Sequence, residues 1–358
     1  MIYAYGITQQ GTYHIKHNIV CQDAHQIVKC GDGLVIAAVA DGLGSEAHSD
    51  IASKLAVKTA AECCAQRLIQ EWTDEQLLDT LRSAFAQAQS AIERTAAENG
   101  HPLDQYDTTL SLAVLKDDTL YYGHSGDSGI VALNADGTYE AVTQQQRDTE
   151  GRVFPLYFGV GMWVFEKYPK PVASVLLATD GMFETLFPFY IRSEPVSIYV
   201  ALARYFMDPG ALGIVQLGEA AVQAKIGGFL ERIPDAQVND DKTVVVLVNP
   251  EVKTSLQPPD YYAEPDWQRL KKQHEESWKR TAYPHLFGGS AGEQTPEAAD
   301  PPEAAAPEAG TLAEETPESN LTEEEDPPMS GREKRIFLVR WFRHRGQADQ
   351  TNERGDTT

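Results

Sequence analysis

The chain is short of cysteine, of basic charge and of long apolar runs, and each shortage excludes a class of protein. Its four cysteines, Cys21, Cys30, Cys63 and Cys64, form no CxxC pair and no disulfide-rich spacing, so a disulfide scaffold is excluded. Cys63 and Cys64 sit in a helical pattern, where small thiols face a core. Lys and Arg number 30 against 53 Asp and Glu, a formal net charge of -23. General nucleic-acid binding, which relies on basic side chains displacing phosphate counterions, is thereby excluded. No stretch reaches the roughly 20 apolar residues that a spanning helix needs. The N-terminal MIYAYGITQQ has no basic segment leading into an apolar one, so no signal peptide is read. The expectation is a soluble protein of a reducing, cytoplasmic compartment.

What is present is a globular chain: 358 residues at 42% hydrophobic content bury a substantial core. Residues 1–250 read as one folded domain. Leu34–Ala40 is a continuous apolar run, the pattern of a strand covered on both faces. Helical patterns follow over 49–68 and 74–98; Thr73 and Gln76 form a capping-box pair at the start of the second, and Asn99-Gly100 ends it. Short strands are expected at 109–115, 120–123, 130–133, 139–142, 172–178 and 243–248, and helices at 196–206 and 214–230. Helices on both faces of a β-sandwich follow from that order. Residues 251–289 read as a linker with a charged helix at 266–280. Residues 290–328 hold many acids and prolines and no Lys or Arg, a composition expected to be disordered. Residues 329–358 form a basic, aromatic tail (RIFLVRWFRHR) suited to docking on the acidic body, on a partner, or on an anionic membrane surface.

Four Asp-Gly dipeptides occur. Asp32-Gly33 and Asp136-Gly137 lie in polar surroundings and read as turns. Asp41-Gly42 and Asp180-Gly181 instead follow directly on apolar strands, where a carboxylate is partly desolvated and costly unless paired or metal-bound. Asp23 stands shortly before the first apolar strand, and Asp240 immediately before the last. If these strand ends converge, mutual repulsion raises the carboxylate pKa values unless divalent ions neutralise them. An all-oxygen set of this kind suits Mg²⁺ or Mn²⁺.

The ordered run Asp23-Ala24, Asp41-Gly42-Leu43-Gly44, Asp107-Thr108-Thr109, Gly126-Asp127-Ser128, Thr179-Asp180-Gly181 and Asp240-Asp241-Lys242-Thr243 resembles the metal-dependent protein phosphatase family of type 2C, its bacterial branch above all. The resemblance covers about residues 3–249. It implies an α+β fold, a four-layer αββα sandwich with a bimetal site at one end of the two central sheets. It further implies a serine/threonine phosphatase working through a metal-activated water, with two Mn²⁺ or Mg²⁺ ions and a weaker third. Asp23, Asp41, Gly42, Asp180 and Asp240 would be the metal-binding residues, with Asp41 and Asp240 also catalytic, and Asp127 with Glu184 would serve the third ion. Phosphorylated proteins and a cognate serine/threonine kinase would be its partners.

The chain also departs from the pattern. Asn18 stands where many relatives carry a phosphate-gripping Arg, Leu43 where some carry a His, and Gly129 where an Arg is usual; Asp241 replaces a usual Asn. No substrate-binding residue is therefore named, although His14, Lys16 and His17 lie close by in sequence. Residues 144–170, with Arg147, Arg152 and several aromatics, fall where the family has a mobile flap, and read equally as a packed connection. Two alternatives stand beside the active phosphatase: a weak pseudo-phosphatase that binds a phosphoprotein or kinase, and a phosphatase of small molecules.

Overall fold

The computed structural model describes residues 1–282 apart from 32, 69 and 70. The expected linker at 290–328, the tail at 329–358 and the turn at Asp32 lie outside the described residues. A compact unit takes in Met1–Trp267, and a second begins at Gln268.

The strands are β1 (Tyr3–Gln9), β2 (Asp23–Lys29), β3 (Leu34–Asp41), β4 (Leu110–Lys116), β5 (Thr119–Ser125), β6 (Gly129–Asn134), β7 (Tyr139–Ala141), β8 (Val164–Lys167), β9 (Val172–Ala178) and β10 (Lys242–Val248). They form two five-stranded sheets, ordered β1-β10-β9-β6-β7 and β2-β3-β4-β5-β8, and every pairing is antiparallel. The helices are α1 (Thr12–His17), α2 (Ser49–Arg67), α3 (Asp74–Asn99), α4 (Asp180–Leu186), α5 (Val200–Met207), the single turns α6 (Pro209–Leu212) and α7 (Ile214–Leu217), α8 (Glu219–Leu230) and α9 (Trp267–Ala282).

Strand alternation explains the unbroken apolar run of β3. Val35, Ala37 and Val39 pack between the sheets beside Val175, Leu177, Val245 and Leu247. Leu34, Ile36, Ala38 and Ala40 point the other way, onto α2 and α3. Both faces are dry, so no position accepts a polar side chain until the strand leaves the core at Asp41. Ala52, Ala56 and Ala60 of α2 are fully buried, and their small side chains let the helix sit close to the sheet. On the outside of the other sheet, the Tyr5 hydroxyl donates to the Phe206 carbonyl and the Ser174 hydroxyl to that of Met207, tying α5 down. Helices therefore cover both outer faces of the two sheets.

The capping box at Thr73 and Gln76 forms in both directions, and Gly100 closes α3 with φ 69°. Elsewhere the expected boundaries shift. The helix expected from 196 begins only at Val200. The one expected over 214–230 is broken at Gly218, whose φ 79° and ψ 164° no helix accommodates. Segment 144–170 contains β8, which pairs with β5 at the sheet edge. Past β10 the chain runs back over the same unit: Ser255 donates its amide to the Ala135 carbonyl, and Trp267 meets the Tyr199 ring edge-on at 5.2 Å. In α9 the pairs Lys271–Glu275 and Lys272–Glu276, at i,i+4 spacing, support a strongly charged helix.

Candidate functional site

The strand ends converge as the apolar runs require. Antiparallel register sets Asp23 directly opposite Asp41 at one end of the β2–β3 pair. Asp41 shares the face of Val39 and therefore looks into the gap between the sheets. The other sheet brings Asp180, just past β9, and Asp240, just before β10, to the same end. Asp127 lies on the crossover from β5 to β6, which passes from one sheet to the other there. An open cleft of about 500 Å³ is lined by Asp41, Gly42, Asp127, Asp180 and Asp240, together with His14. Asp23 is buried behind it.

Threonines hold this end together. Thr108 donates its hydroxyl to the Asp41 carbonyl at 2.9 Å, and Thr109 accepts the Asp41 amide at 2.9 Å. Thr109 also meets the Ser128 hydroxyl at 3.0 Å, linking Asp41 to the Asp127 turn. Thr179, at the end of β9, donates to Asp23 Oδ2 at 2.7 Å across the gap between the sheets. Asp241 is buried and accepts the amides of Gly11 at 2.6 Å and Gln22 at 2.7 Å. Its carboxylate therefore organises the backbone that leads into Asp23. Gly42 is required by a close approach: a Cβ there would lie 2.6 Å from the Ser49 carbonyl carbon and oxygen.

The electrostatics are lopsided. Burial pushes Asp41 well above the usual carboxylate range, and Asp23, Asp180, Asp127 and Asp240 push it further. Burial and then Asp241 raise Asp23 in the same way. Asp180 rises to about 7, chiefly through burial and the neighbouring Asp127, Asp240 and Glu184, with Arg147 opposing. Asp127 is raised by burial but held back by Arg147. That arginine donates to Asp127 Oδ2 from Nε at 2.8 Å and Nη2 at 2.5 Å, to Asp180 from Nη2 at 3.3 Å, and to Glu184 from Nη1 at 3.1 Å. Asp180 and Glu184 share one face of α4 at i,i+4 spacing. Among the described residues, neither Asp23 nor Asp41 pairs with a cation. Carboxylates so crowded and so poorly compensated have the donor chemistry to hold hard divalent ions.

Over residues 10–231 the chain matches the family model for protein phosphatase 2C. The chain belongs to the protein phosphatase 2C family. It is accordingly a phosphatase enzyme, and its two antiparallel sheets flanked by helices are the fold of that family. Solved structures similar to it include the serine/threonine phosphatase PstP/Ppp of Mycobacterium tuberculosis, at 21% identity and TM-score 0.45 over 69% of this chain and 98% of that one. Stp1 of Staphylococcus aureus is 15% identical, with TM-score 0.45 over 69% and 95% of the two chains. The serine/threonine phosphatase of S. agalactiae is 13% identical, with TM-score 0.48 over 70% and 100%. No curated protein matches the chain.

Two positions at which this phosphatase 2C chain departs from the family pattern are set by its backbone and packing. Asn18 is the exposed C-cap of α1 in the left-handed region, φ 56°, a conformation that asparagine tolerates; it does not line the cleft. Gly129 has no room for any side chain, because a Cβ would sit 2.0 Å from the Phe183 ring. Of the three basic residues near Asn18, Lys16 pairs with Asp235 at 3.0 Å and His17 lies 2.8 Å from the Tyr13 carbonyl. His14 alone turns inward, with Nδ1 2.9 Å from Asp241 and Nε2 3.8 Å from Asp240. The sequence reading missed how Arg147 is used. It stands 20 positions after Asp127, a spacing that carries no periodic signal.

Proposed function

We propose that the chain is a metal-dependent protein serine/threonine phosphatase whose centre is built from Asp23, Asp41, the Gly42 carbonyl, Asp180 and Asp240. The observation that carries this reading is the register-opposed pair Asp23 and Asp41, both pushed well above the usual carboxylate range with no cation beside them among the described residues. Like charges directly opposite on paired strands destabilise the fold, and two Mn²⁺ or Mg²⁺ ions would relieve that repulsion. Such ions would supply the acidity to activate a water and would offset charge on the phosphoryl oxygens.

The remaining work falls to the chain itself. Thr108, Thr109 and Thr179 hold Asp41 and Asp23 in position. A cleft lined by carboxylates repels a phosphate dianion, so substrate entry depends on their neutralisation. During hydrolysis a water oxygen bonds to phosphorus in line as the P–O bond to serine or threonine breaks. Leu43, beside Gly42, has no proton to offer, so the departing alkoxide takes one from solvent. His14 is buried and lines the cleft, the one of the three basic residues near Asn18 that does so. The substrates are phosphoproteins, a cognate serine/threonine kinase among them, in the cytoplasm; the free cysteines accord with that compartment. Residues 1–250 hold the catalytic domain, onto which the segment up to Trp267 packs back, and 290–328 and 329–358 are the acidic segment and basic tail.

A second reading, a pseudo-phosphatase that binds phosphoproteins without turnover, is favoured by one observation: Asn18 and Gly129 leave both usual arginine positions without a guanidinium. Hydrolysis of a phosphothreonine peptide and of p-nitrophenyl phosphate, with Mn²⁺, Mg²⁺ or chelator, separates the two. Metal-dependent turnover that is lost in Asp41→Asn establishes the enzyme. Phosphopeptide binding without turnover under any metal establishes the recognition module.

A further inference from the structure

The Arg147 guanidinium lies where three carboxylates meet. It reaches Asp127 with two nitrogens, at 2.8 and 2.5 Å, Asp180 at 3.3 Å and Glu184 at 3.1 Å. The Asp127 side chain is 2% exposed and that of Arg147 31%, so the contact with Asp127 is shielded from water and from screening salt. Planar guanidinium groups suit such multi-carboxylate contacts, because their donors are fixed in a fork.

The backbone around Arg147 is anchored from both sides. Gln144 offers its carbonyl to His124 Nε2 at 3.1 Å, and Gln145 donates its side chain to the Asp127 carbonyl at 2.8 Å. Gln146 accepts the Gly126 amide with its side-chain oxygen at 3.0 Å and donates to the Met162 carbonyl at 2.8 Å. Arg147 itself bridges to Val153, and the turn between them closes through the Asp148 amide on the Arg152 carbonyl. Four consecutive residues are thus spent on holding one side chain against Asp127.

We propose that Arg147 is a built-in cation of this site: its guanidinium takes the position between Asp127, Asp180 and Glu184 that a third divalent ion would need, so the docked chain binds two ions there and not three. The proposal rests on the bimetal reading above for the first two ions and on the Arg147 contacts for the exclusion of the third. Magnesium or manganese needs carboxylate oxygens at about 2.0–2.2 Å. One oxygen of each carboxylate, Asp127 Oδ2, Asp180 Oδ2 and Glu184 Oε1, already faces a guanidinium nitrogen, and an ion placed among the three would meet a full positive charge.

Counting Mn²⁺ by equilibrium dialysis and elemental analysis of the full chain, wild type beside Arg147→Gln, tests this without reference to activity. The expected result is about two ions per wild-type chain and about three per variant chain. Two in both, or three already in the wild type, overturns the proposal and leaves the bimetal reading standing; none in either sinks both. Hydrogen exchange of residues 144–154 in the wild type supplies an independent readout should the variant not fold. Protection that survives saturating Mn²⁺ supports a docked Arg147, and protection lost by tenfold or more overturns it.

Discussion

Asp23 and Asp41 face each other across β2 and β3 with only threonine hydroxyls as partners, Thr179 on the Asp23 carboxylate and Thr108 and Thr109 on the Asp41 backbone, whereas Asp127, Asp180 and Glu184, at the same end of the sandwich, share the guanidinium of Arg147. Both groups are acidic and both stand at the rim of one apolar core. One is satisfied by the chain and the other is left wanting charge. A protein that needed only stability would neutralise both, because unpaired buried carboxylates oppose folding. The side left bare is therefore the one to read as the heart of the proposed metal centre, with Asp180, which meets Arg147 through Oδ2 alone, at its border with the side where the fold supplies its own cation.

Substitutions break or sharpen this contrast. The largest effect is expected on the bare side. Asp41→Asn should lower metal-dependent turnover of a phosphothreonine peptide by about 10³-fold or more, and turnover near wild type would remove Asp41 from the centre. Next, Asp127→Asn should cost about 2–3 kcal/mol of stability, because it strips a partly buried arginine of its main partner; denaturant unfolding in chelator measures it. In the same assay Asp41→Asn should move the opposite way and stabilise the metal-free protein by about 1 kcal/mol, through relief of the repulsion across β2 and β3. If both variants shift in the same direction, the contrast between the two sides is wrong.

The smallest effect is in pH dependence. Folded Asp180 has a pKa of about 7, against about 3.9 for an unperturbed aspartate. Between those values the folded protein holds a proton that the unfolded chain has lost, so this group's contribution to stability falls as pH rises from about 4 to 7. The difference in melting temperature between wild type and Asp180→Asn, in chelator, should fall across that window. A flat difference would mean that Asp180 ionises freely, with Arg147 compensating it in full.

Much of the architecture was legible because local physics specified it. The Thr73–Gln76 capping box and Gly100 delimit α3 through backbone groups that only those residues satisfy. The run at Leu34–Ala40 required cover on both faces and received it. Expectations failed where a single residue overrode a pattern: Gly218 breaks an apolar stretch that otherwise reads as one helix, and β8 is a strand only because β5 offers it an edge. At the site, the carboxylates themselves were visible as acids abutting apolar strands. Their partners were not.

By itself, then, the sequence determined the inventory: two families of apolar strands, helices to cover them, and aspartates set at strand ends where hydration is incomplete. Only the tertiary structure decided which charges meet. Register, not spacing, sets Asp23 against Asp41, and the return of residues 144–154 across the sheet end brings Arg147 to Asp127. Burial preferences act on each residue separately and can be read one at a time. Electrostatic pairing depends on distances between residues far apart in the chain, and those exist only once the two sheets have closed on each other.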